Sequence, residues 1–297
     1  MNRRQFSRAI AGAALGAAVL PSPSTLRAEE DQPSLPFKLS VMIWTLGGKL
    51  SLQQRLETVA QAGYHSVELT GDFLKWSPED FRKFDSLKRS LGVGIDATGG
   101  FNGGVGDPER RDDLLAQLKY LVTYCDRLQC WTFIILSGNR IPTLSGQQQH
   151  DACIETLKRM GDIAAQQNVT VLLENIDPEE NPKYYLTSSA EGFEIIRKVD
   201  HPNVKFLYDL YHEQIAEGNL IEKLEKNIGY LGLIHIADVP GRHEPGTGEI
   251  NYASVFRKLA ELKYNKYAAM EFLPTDDPVA SLRGAREYVD RAVNASR

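Results

Sequence analysis

Four short apolar runs in the second half of the chain carry, at or near their ends, a side chain able to bind a cation or move a proton. They are Val171-Leu172-Leu173-Glu174, Phe206-Leu207-Tyr208-Asp209, Leu233-Ile234-His235-Ile236 and Ala268-Ala269-Met270-Glu271. Any one acid in such a place can cap a turn or pair with an arginine, and a lone histidine there is more often a satisfied core residue. Four in series point elsewhere. Three carboxylates drawn together away from water repel one another unless a cation offsets them. Three oxygen donors and one imidazole suit a single divalent ion, Mn²⁺, Mg²⁺, Co²⁺ or Zn²⁺, without choosing among them. Soft copper would want sulfur, and no cysteine is placed to give it. Cys125, Cys130 and Cys153 are odd in number and confined to one stretch, so they read as buried apolar filler rather than a disulfide framework.

Something must bring those four ends to one place. From Phe37 onward, short β-branched or apolar runs alternate with longer helical patterns. Strands are expected at 39–44, 66–69, 94–98, 132–136, 170–174, 204–209, 232–236 and 267–272. Helices are expected at 52–62, 78–91, 108–128, 146–167, 189–199, 220–231, 252–262 and 278–293. Ser77-Pro78-Glu79-Asp80 supplies an N-cap, a proline at the first helical position and acids in the first turn, and Asp107-Pro108-Glu109 repeats the pattern. The strands lack clean alternation, as parallel strands covered on both faces do. Eight strand–helix units predict an α/β fold, a single (β/α)8 barrel over residues 37–297. In such a barrel the chemistry sits at the C-terminal ends of the strands.

Residues 1–28 stand apart. Arg3, Arg4 and Arg8 precede an alanine- and glycine-rich apolar stretch too short to span a bilayer. Arg3-Arg4-Gln5-Phe6 has the form of a twin-arginine signal, and Leu26-Arg27-Ala28 offers a small-residue cleavage site. Residues 29–36 read as a linker. The expectation is a protein that is periplasmic or otherwise exported, with no stable membrane span. Setting aside 1–28 removes four arginines and no acid from totals of 34 bases and 39 acids, which leaves a formal charge near −9. So acidic a body argues against nucleic acid or an anionic membrane as partner.

Three longer stretches are more specific: Leu172-Leu173-Glu174-Asn175-Ile176, Asp209-Leu210-Tyr211-His212-Glu213-Gln214, and His235-Ile236-Ala237-Asp238-Val239-Pro240-Gly241-Arg242-His243-Glu244-Pro245-Gly246-Thr247-Gly248-Glu249-Ile250-Asn251-Tyr252. On these the chain resembles the sugar isomerase/epimerase superfamily of xylose-isomerase-like TIM barrels, and within it the hydroxypyruvate isomerase family. The resemblance covers essentially everything after the signal. It implies a metal quartet on Glu174, Asp209, His235 and Glu271, with Glu174 and Glu271 doubling as the acid and base. It also implies proton transfer beside a carbonyl, through a metal-bound cis-enediolate, on a hydroxypyruvate-like keto acid or a keto-sugar. His212 is implied to hydrogen-bond a substrate oxygen. Two positions depart from the family. Hydroxypyruvate isomerases commonly carry Gln where this chain has His235, which keto-sugar 3-epimerases of the superfamily share, and Pro where it has Asn175. Fold and metal site survive both changes; the substrate stays open.

Arg242 is suited to grip a substrate carboxylate or polarised oxygen bidentately, the alternative being a pair with Glu244. His243 is a weaker candidate. Trp44 and Phe101 could wall the cavity, and Glu68 ends the second strand toward the same mouth, so Trp44 and Glu68 join His212 and Arg242 as expected substrate contacts. The glycine-rich run 99–104 lacks the Lys-Ser/Thr of a phosphate loop. Three other functions compete. A zinc-cluster phosphodiesterase would need more than this chain's six histidines and a less acidic surface. A barrel that only binds sugar needs no metal quartet. A keto-sugar lyase or hydrolase on the same metal site is favoured by export. The expected partner is a small sugar or keto acid. Homo-oligomers are common in the family, but no apolar stripe here can be assigned to an interface.

Overall fold

In the computed structural model, which describes residues 35–295, eight parallel strands close into a barrel in sequence order. The expected signal over 1–28 and most of the linker lie outside the described residues; Leu35, at the linker's end, already packs on the core. The strands are β1 (Lys38–Met42), β2 (Ser66–Leu69), β3 (Gly94–Thr98), β4 (Thr132–Leu136), β5 (Thr170–Glu174), β6 (Val204–Asp209), β7 (Leu231–Ile236) and β8 (Tyr267–Met270). Between and after them run α1 (Leu52–Gln61), α2 (Pro78–Leu91), α3 (Arg111–Val122), α4 (Cys125–Leu128), α5 (Gly146–Gln167), α6 (Ser189–Val199), α7 (Leu210–Ala216), α8 (Leu220–Asn227), α9 (Tyr252–Glu261) and α10 (Pro278–Asn294). The (β/α)8 barrel expected from the sequence is what the chain forms. Among the described residues, no helix is long and apolar enough to cross a membrane.

Local chemistry sets the helix ends. Ser77 and Asp80 form a reciprocal capping box ahead of α2, which ends at Gly92 in the left-handed region (φ +64°). Ser145 and Gln148 do the same for α5. Elsewhere the expectations need adjusting. The helix expected at 108–128 is a short 3₁₀ turn followed by α3 and α4, and that at 220–231 stops at Asn227. β1 ends at Met42, and the chain turns into a 3₁₀ segment, Ile43–Leu46, that carries Trp44. α7 was not expected; its seven residues follow β6 without a break.

Strand periodicity places the chemistry. Leu172, Leu207, Leu233 and Ala269 pack with Ala97 inside the barrel. Two residues further along the same strands, on the same face, come Glu174, Asp209, His235 and Glu271. Pairing sets Asp209 opposite His235, with Glu174 opposite Leu207 and His235 opposite Ala269, so the two glutamates stand staggered by two residues on either side of that pair. The wall across the barrel is polar, with Ser40, Ser66, Glu68 and Thr98 all buried. The larger core fills the space between strands and helices, where the three cysteines are buried and free.

Candidate active site

Each member of the quartet is fixed by its own element. Glu174 ends β5. Asp209 ends β6 and is also the N-cap of α7: its Oδ1 accepts from the backbone N–H groups of Tyr211 (2.7 Å) and His212 (3.2 Å). That leaves Oδ2 for the site. Glu271 lies just past β8, and its N–H donates to the carbonyl of Ile236 at 2.9 Å. The ligand atoms of Glu174, Asp209, His235 and Glu271 all fall within 4.8 Å of one another, and all four residues are buried.

His235 organises this cluster. Its Nε2 is 2.9 Å from Oε2 of Glu68, which is wholly buried. A carboxylate there accepts the Nε2 proton and turns Nδ1 toward the other three acids. Nδ1 is 2.6 Å from Glu271 Oε2, 3.5 Å from Glu174 Oε1 and 3.8 Å from Asp209 Oδ2. Yet His235 Nδ1 and Glu271 Oε2 lack an aligned hydrogen-bond partner despite their burial. The two atoms face each other without hydrogen-bond alignment, and with the carboxylates of Glu174 and Asp209 beside them the group has the donor set that a bound cation would satisfy. Three carboxylates and one imidazole fit a hard or borderline divalent ion.

The electrostatics agree. Burial opposes a proton on His235, but Glu271 and Glu68 outweigh it and hold the imidazole well above its ordinary range. Burial pushes Glu174 up, whereas for Glu271 the opposing pull of His235 and Arg242 wins and holds the carboxyl down. Burial likewise raises Glu68, against the pull of His235. Without a metal, then, His235 and Arg242 supply the positive charge that the acids need.

Arg242 adopts a left-handed backbone conformation (φ +57°), and of the six described non-glycine residues with positive φ it is the one that lines the cavity. Preceding Gly241 (φ +90°) shares the turn. The loop is held by Asp238, whose carboxylate accepts from the N–H groups of Val239, Gly246, Gly248 and Ile250. Arg242 Nε donates to the carbonyl of Glu271 (3.2 Å), Nη1 to Glu180 (2.9 Å) and Nη2 to Asp209 (3.3 Å), with Glu271 Oε2 at 2.8 Å. The guanidinium stacks on Tyr211, 4.9 Å from the ring centre, and faces Trp44 at 5.6 Å. Glu244 is not its partner and instead accepts from Thr275.

A cavity of about 350 Å³ opens beside these groups at the C-terminal end of the barrel. Glu174, His212, His235, Arg242, Glu271, Trp44 and Phe101 all face it. Trp44 donates its indole N–H to Glu271 Oε1 at 2.9 Å. His212 is on the first turn of α7 rather than on a loop, and its Nδ1 is 2.6 Å from Asp177 Oδ2. Glu68 is placed differently from the expectation. It lies behind His235, outside the cavity lining, because β2 directs it into the barrel interior. His243 also stays outside, with Nδ1 against the carbonyl of Leu273. Asp177 and Glu180, three and six residues after Glu174, were missed. Their only signal was the acid-rich run Asp177-Pro178-Glu179-Glu180.

A family model described as xylose isomerase-like TIM barrel matches residues 56–291. The putative hydroxypyruvate isomerase of Danio rerio is 30% identical over 269 residues, which is 85% of this chain and 96% of that one. The 2-oxo-tetronate isomerase of Haemophilus influenzae is 28% identical over 261 residues, 84% of this chain and 99% of the relative. Among solved structures, the family 2 AP endonuclease of Brucella melitensis superimposes with a TM-score of 0.74 at 25% identity, covering 85% of this chain and 98% of that one.

Proposed function

The chain belongs to the xylose isomerase-like TIM barrel family and is an isomerase, and from that premise we propose that it is metal-dependent and acts on a small hydroxy-carbonyl compound. The observation that carries this is the convergence of four buried donor side chains, two of them with unaligned donor atoms and three of them lining the cavity. Glu174, Asp209, His235 and Glu271 would hold the ion. A divalent metal bound there supplies a Lewis acid that polarises the substrate carbonyl and offsets the charge of a cis-enediolate. The protein does the rest. A carboxylate oxygen of Glu174 or Glu271 takes the proton from the carbon beside the carbonyl, and the other glutamate returns one. His212, held by Asp177, presents Nε2 to a substrate oxygen, and Arg242 faces the developing negative charge. Trp44 and Phe101 shield one side of the cavity from water.

Hydrolysis of a phosphodiester on a zinc cluster has less support, because only His212 and His235 among the histidines line the cavity. The proposal includes export, which Arg3-Arg4-Gln5-Phe6 and the apolar stretch after it support.

The test is solvent exchange. Metal-reconstituted protein is incubated in D₂O with hydroxypyruvate and a set of ketoses and followed by NMR. Deuterium should enter beside the carbonyl, and Glu174→Gln and Glu271→Gln should each slow entry by about 10²–10⁴-fold. Absence of exchange in every mixture, with metal bound, refutes the proposal.

A further inference from the structure

We propose that the buried Glu213–Lys223 pair sets the placement of α7, and so fixes where Asp209 and His212 present their site-facing atoms. Glu213 is a positioning residue, outside the cavity lining. The inference rests on the metal-site reading above and deepens it.

α7 has seven residues, and helices shorter than about 12–15 are marginal in water on their own. It nevertheless starts on Asp209 and carries His212 in its first turn. Adjacent residues on a helix point about 100° apart, so Glu213 is turned away from His212. Glu213 is fully buried, and its Oε1 accepts from Lys223 Nζ of α8. Its Oε2 is buried without an aligned partner, which leaves Lys223 to direct the carboxylate.

This contact closes a frame. The carbonyl of Glu213 accepts from the N–H groups of Glu217 (2.9 Å) and Gly218 (2.8 Å). Gly218 (φ +66°) and Asn219 (φ +56°) then turn the chain in the left-handed region, and α8 brings Lys223 back to Glu213. Lys223 also holds Glu217 Oε2 at 2.5 Å. Tyr208, the strand residue before Asp209, donates its hydroxyl to the carbonyl of Leu220 at 3.4 Å. Thus β6 is tied to α8 and α8 to α7, while Asp209 stands at the corner where β6 becomes α7.

Strength is not what the pair supplies. Burial lifts the Glu213 carboxyl to about 7 although Lys223 pulls the other way, so the partner does not fully offset the burial of that charge. Buried pairs often add little net stability, whereas removing one partner strands the other. The contact instead gives a short helix one direction. Asp209 can offer Oδ2 to the site only while Oδ1 keeps the N–H groups of Tyr211 and His212, and that depends on where α7 lies.

The experiment separates placement from charge. Chelator competition gives the Mn²⁺ Kd of the wild type, Lys223→Met, Glu213→Gln, Lys223→Arg and, as a stability control, Val289→Ala in the buried face of α10. Acting only through its charge, Lys223→Met would tighten the cation and Glu213→Gln would loosen it. A displaced α7 loosens both, and each Kd should rise about tenfold. Lys223→Arg, which keeps the pair, should stay within about threefold of the wild type, and Val289→Ala should lower Tm without raising Kd. In metal-free protein the amides of Tyr211 and His212 should exchange with solvent about tenfold faster in Lys223→Met and Glu213→Gln, beyond any change in the amides of α5. A Kd that Lys223→Met lowers or leaves unmoved overturns the proposal. So does a rise that Val289→Ala reproduces, or exchange that quickens no more at Tyr211 and His212 than along α5. Should the wild type take up no Mn²⁺, the metal-site reading falls and the amide exchange alone decides this one.

Discussion

Glu68→Gln tests how the proposed metal site is held. Glu68 Oε2 and His235 Nε2 are 2.9 Å apart, and both side chains are buried from solvent. Once a metal has displaced the Nδ1 proton, the carboxylate would keep the remaining proton on Nε2 and leave the Nδ1 lone pair toward Glu174, Asp209 and Glu271. Gln keeps the shape and one acceptor oxygen but loses the charge. A hydrogen bond to a charged group contributes about 1.5–3 kcal/mol net, against about 1 kcal/mol for a neutral one. The loss is thus roughly 0.5–2 kcal/mol in support of the ligand. At 1.4 kcal/mol per tenfold, metal affinity should fall about 2- to 30-fold, the upper part of which overlaps the effect of other partners that orient a metal-binding histidine. With metal at about 100 times the wild-type Kd, binding adds about 2.7 kcal/mol of stability, which falls to about 1.4 if Kd rises tenfold. For a chain of this size the rise in Tm on adding metal should shrink by roughly 3–5 °C. Chelator competition gives the affinity, and thermal scans with and without metal give the difference, so any effect on the metal-free fold cancels. An affinity within twofold of the wild type would refute the support role. A loss beyond about a thousandfold would make Glu68 a ligand in its own right.

Two other perturbations read the surroundings of the site. For His212, burial opposes the proton, but Asp209 and Asp177 outweigh it and lift the imidazole to about 9. The unfolded value is near 6.5, so this group contributes roughly 3 kcal/mol in full below about pH 6.5 and loses it as pH rises through 9. In metal-free protein, Asp177→Asn should move the NMR titration of His212 down by about a unit or more; an unmoved titration contradicts the assignment. Asp238→Asn turns one of two acceptor oxygens into a donor facing backbone N–H groups. It should cost about 3 kcal/mol or more and lower Tm by on the order of 10 °C, and a Tm within about 2 °C of the wild type would show that the loop does not depend on it.

Much of the fold was legible because parallel strands buried on both faces leave short apolar runs that stand out from the helices between them. Five of them, from Ser66–Leu69 to Val204–Asp209, have the bounds the sequence suggests. The quartet was legible for the same reason, since its members stand at or beside strand ends. α7 was hidden because Asp209 reads as a ligand, which masks its equal suitability as the N-cap of a following helix. Glu68 was misplaced for a tertiary reason. The register of β2 on β3 shifts between Val67 and Glu68, and Ser66 of β2 with Ser40 and Asp96 of the neighbouring strands supplies a polar interior. There burial and Glu68 lift Asp96 to about 8, despite bonds from both serines. Asp177 and Glu180 were missed because their partners, His212 and Arg242, are more than thirty residues away in sequence and meet them only once the barrel closes.

The same contacts explain why Arg242 is held so firmly. In the metal-free site its guanidinium and the protonated His235 stand where a divalent cation would put positive charge, and both bear on Glu271. A metal must compete with them: His235 has to give up its Nδ1 proton and Arg242 has to yield Asp209 and Glu271. Uptake should therefore weaken as pH falls, as it does wherever a ligand must lose a proton. What then keeps Arg242 over the cavity is the part of its setting that the metal does not touch: Glu180, the carbonyl of Glu271, the face of Tyr211 and the loop tied down by Asp238. A left-handed arginine costs of order 1 kcal/mol or more, and a conformation of that kind persists only where the surroundings over-determine it. Here they do, and the guanidinium stays in place to meet the charge that develops on the substrate.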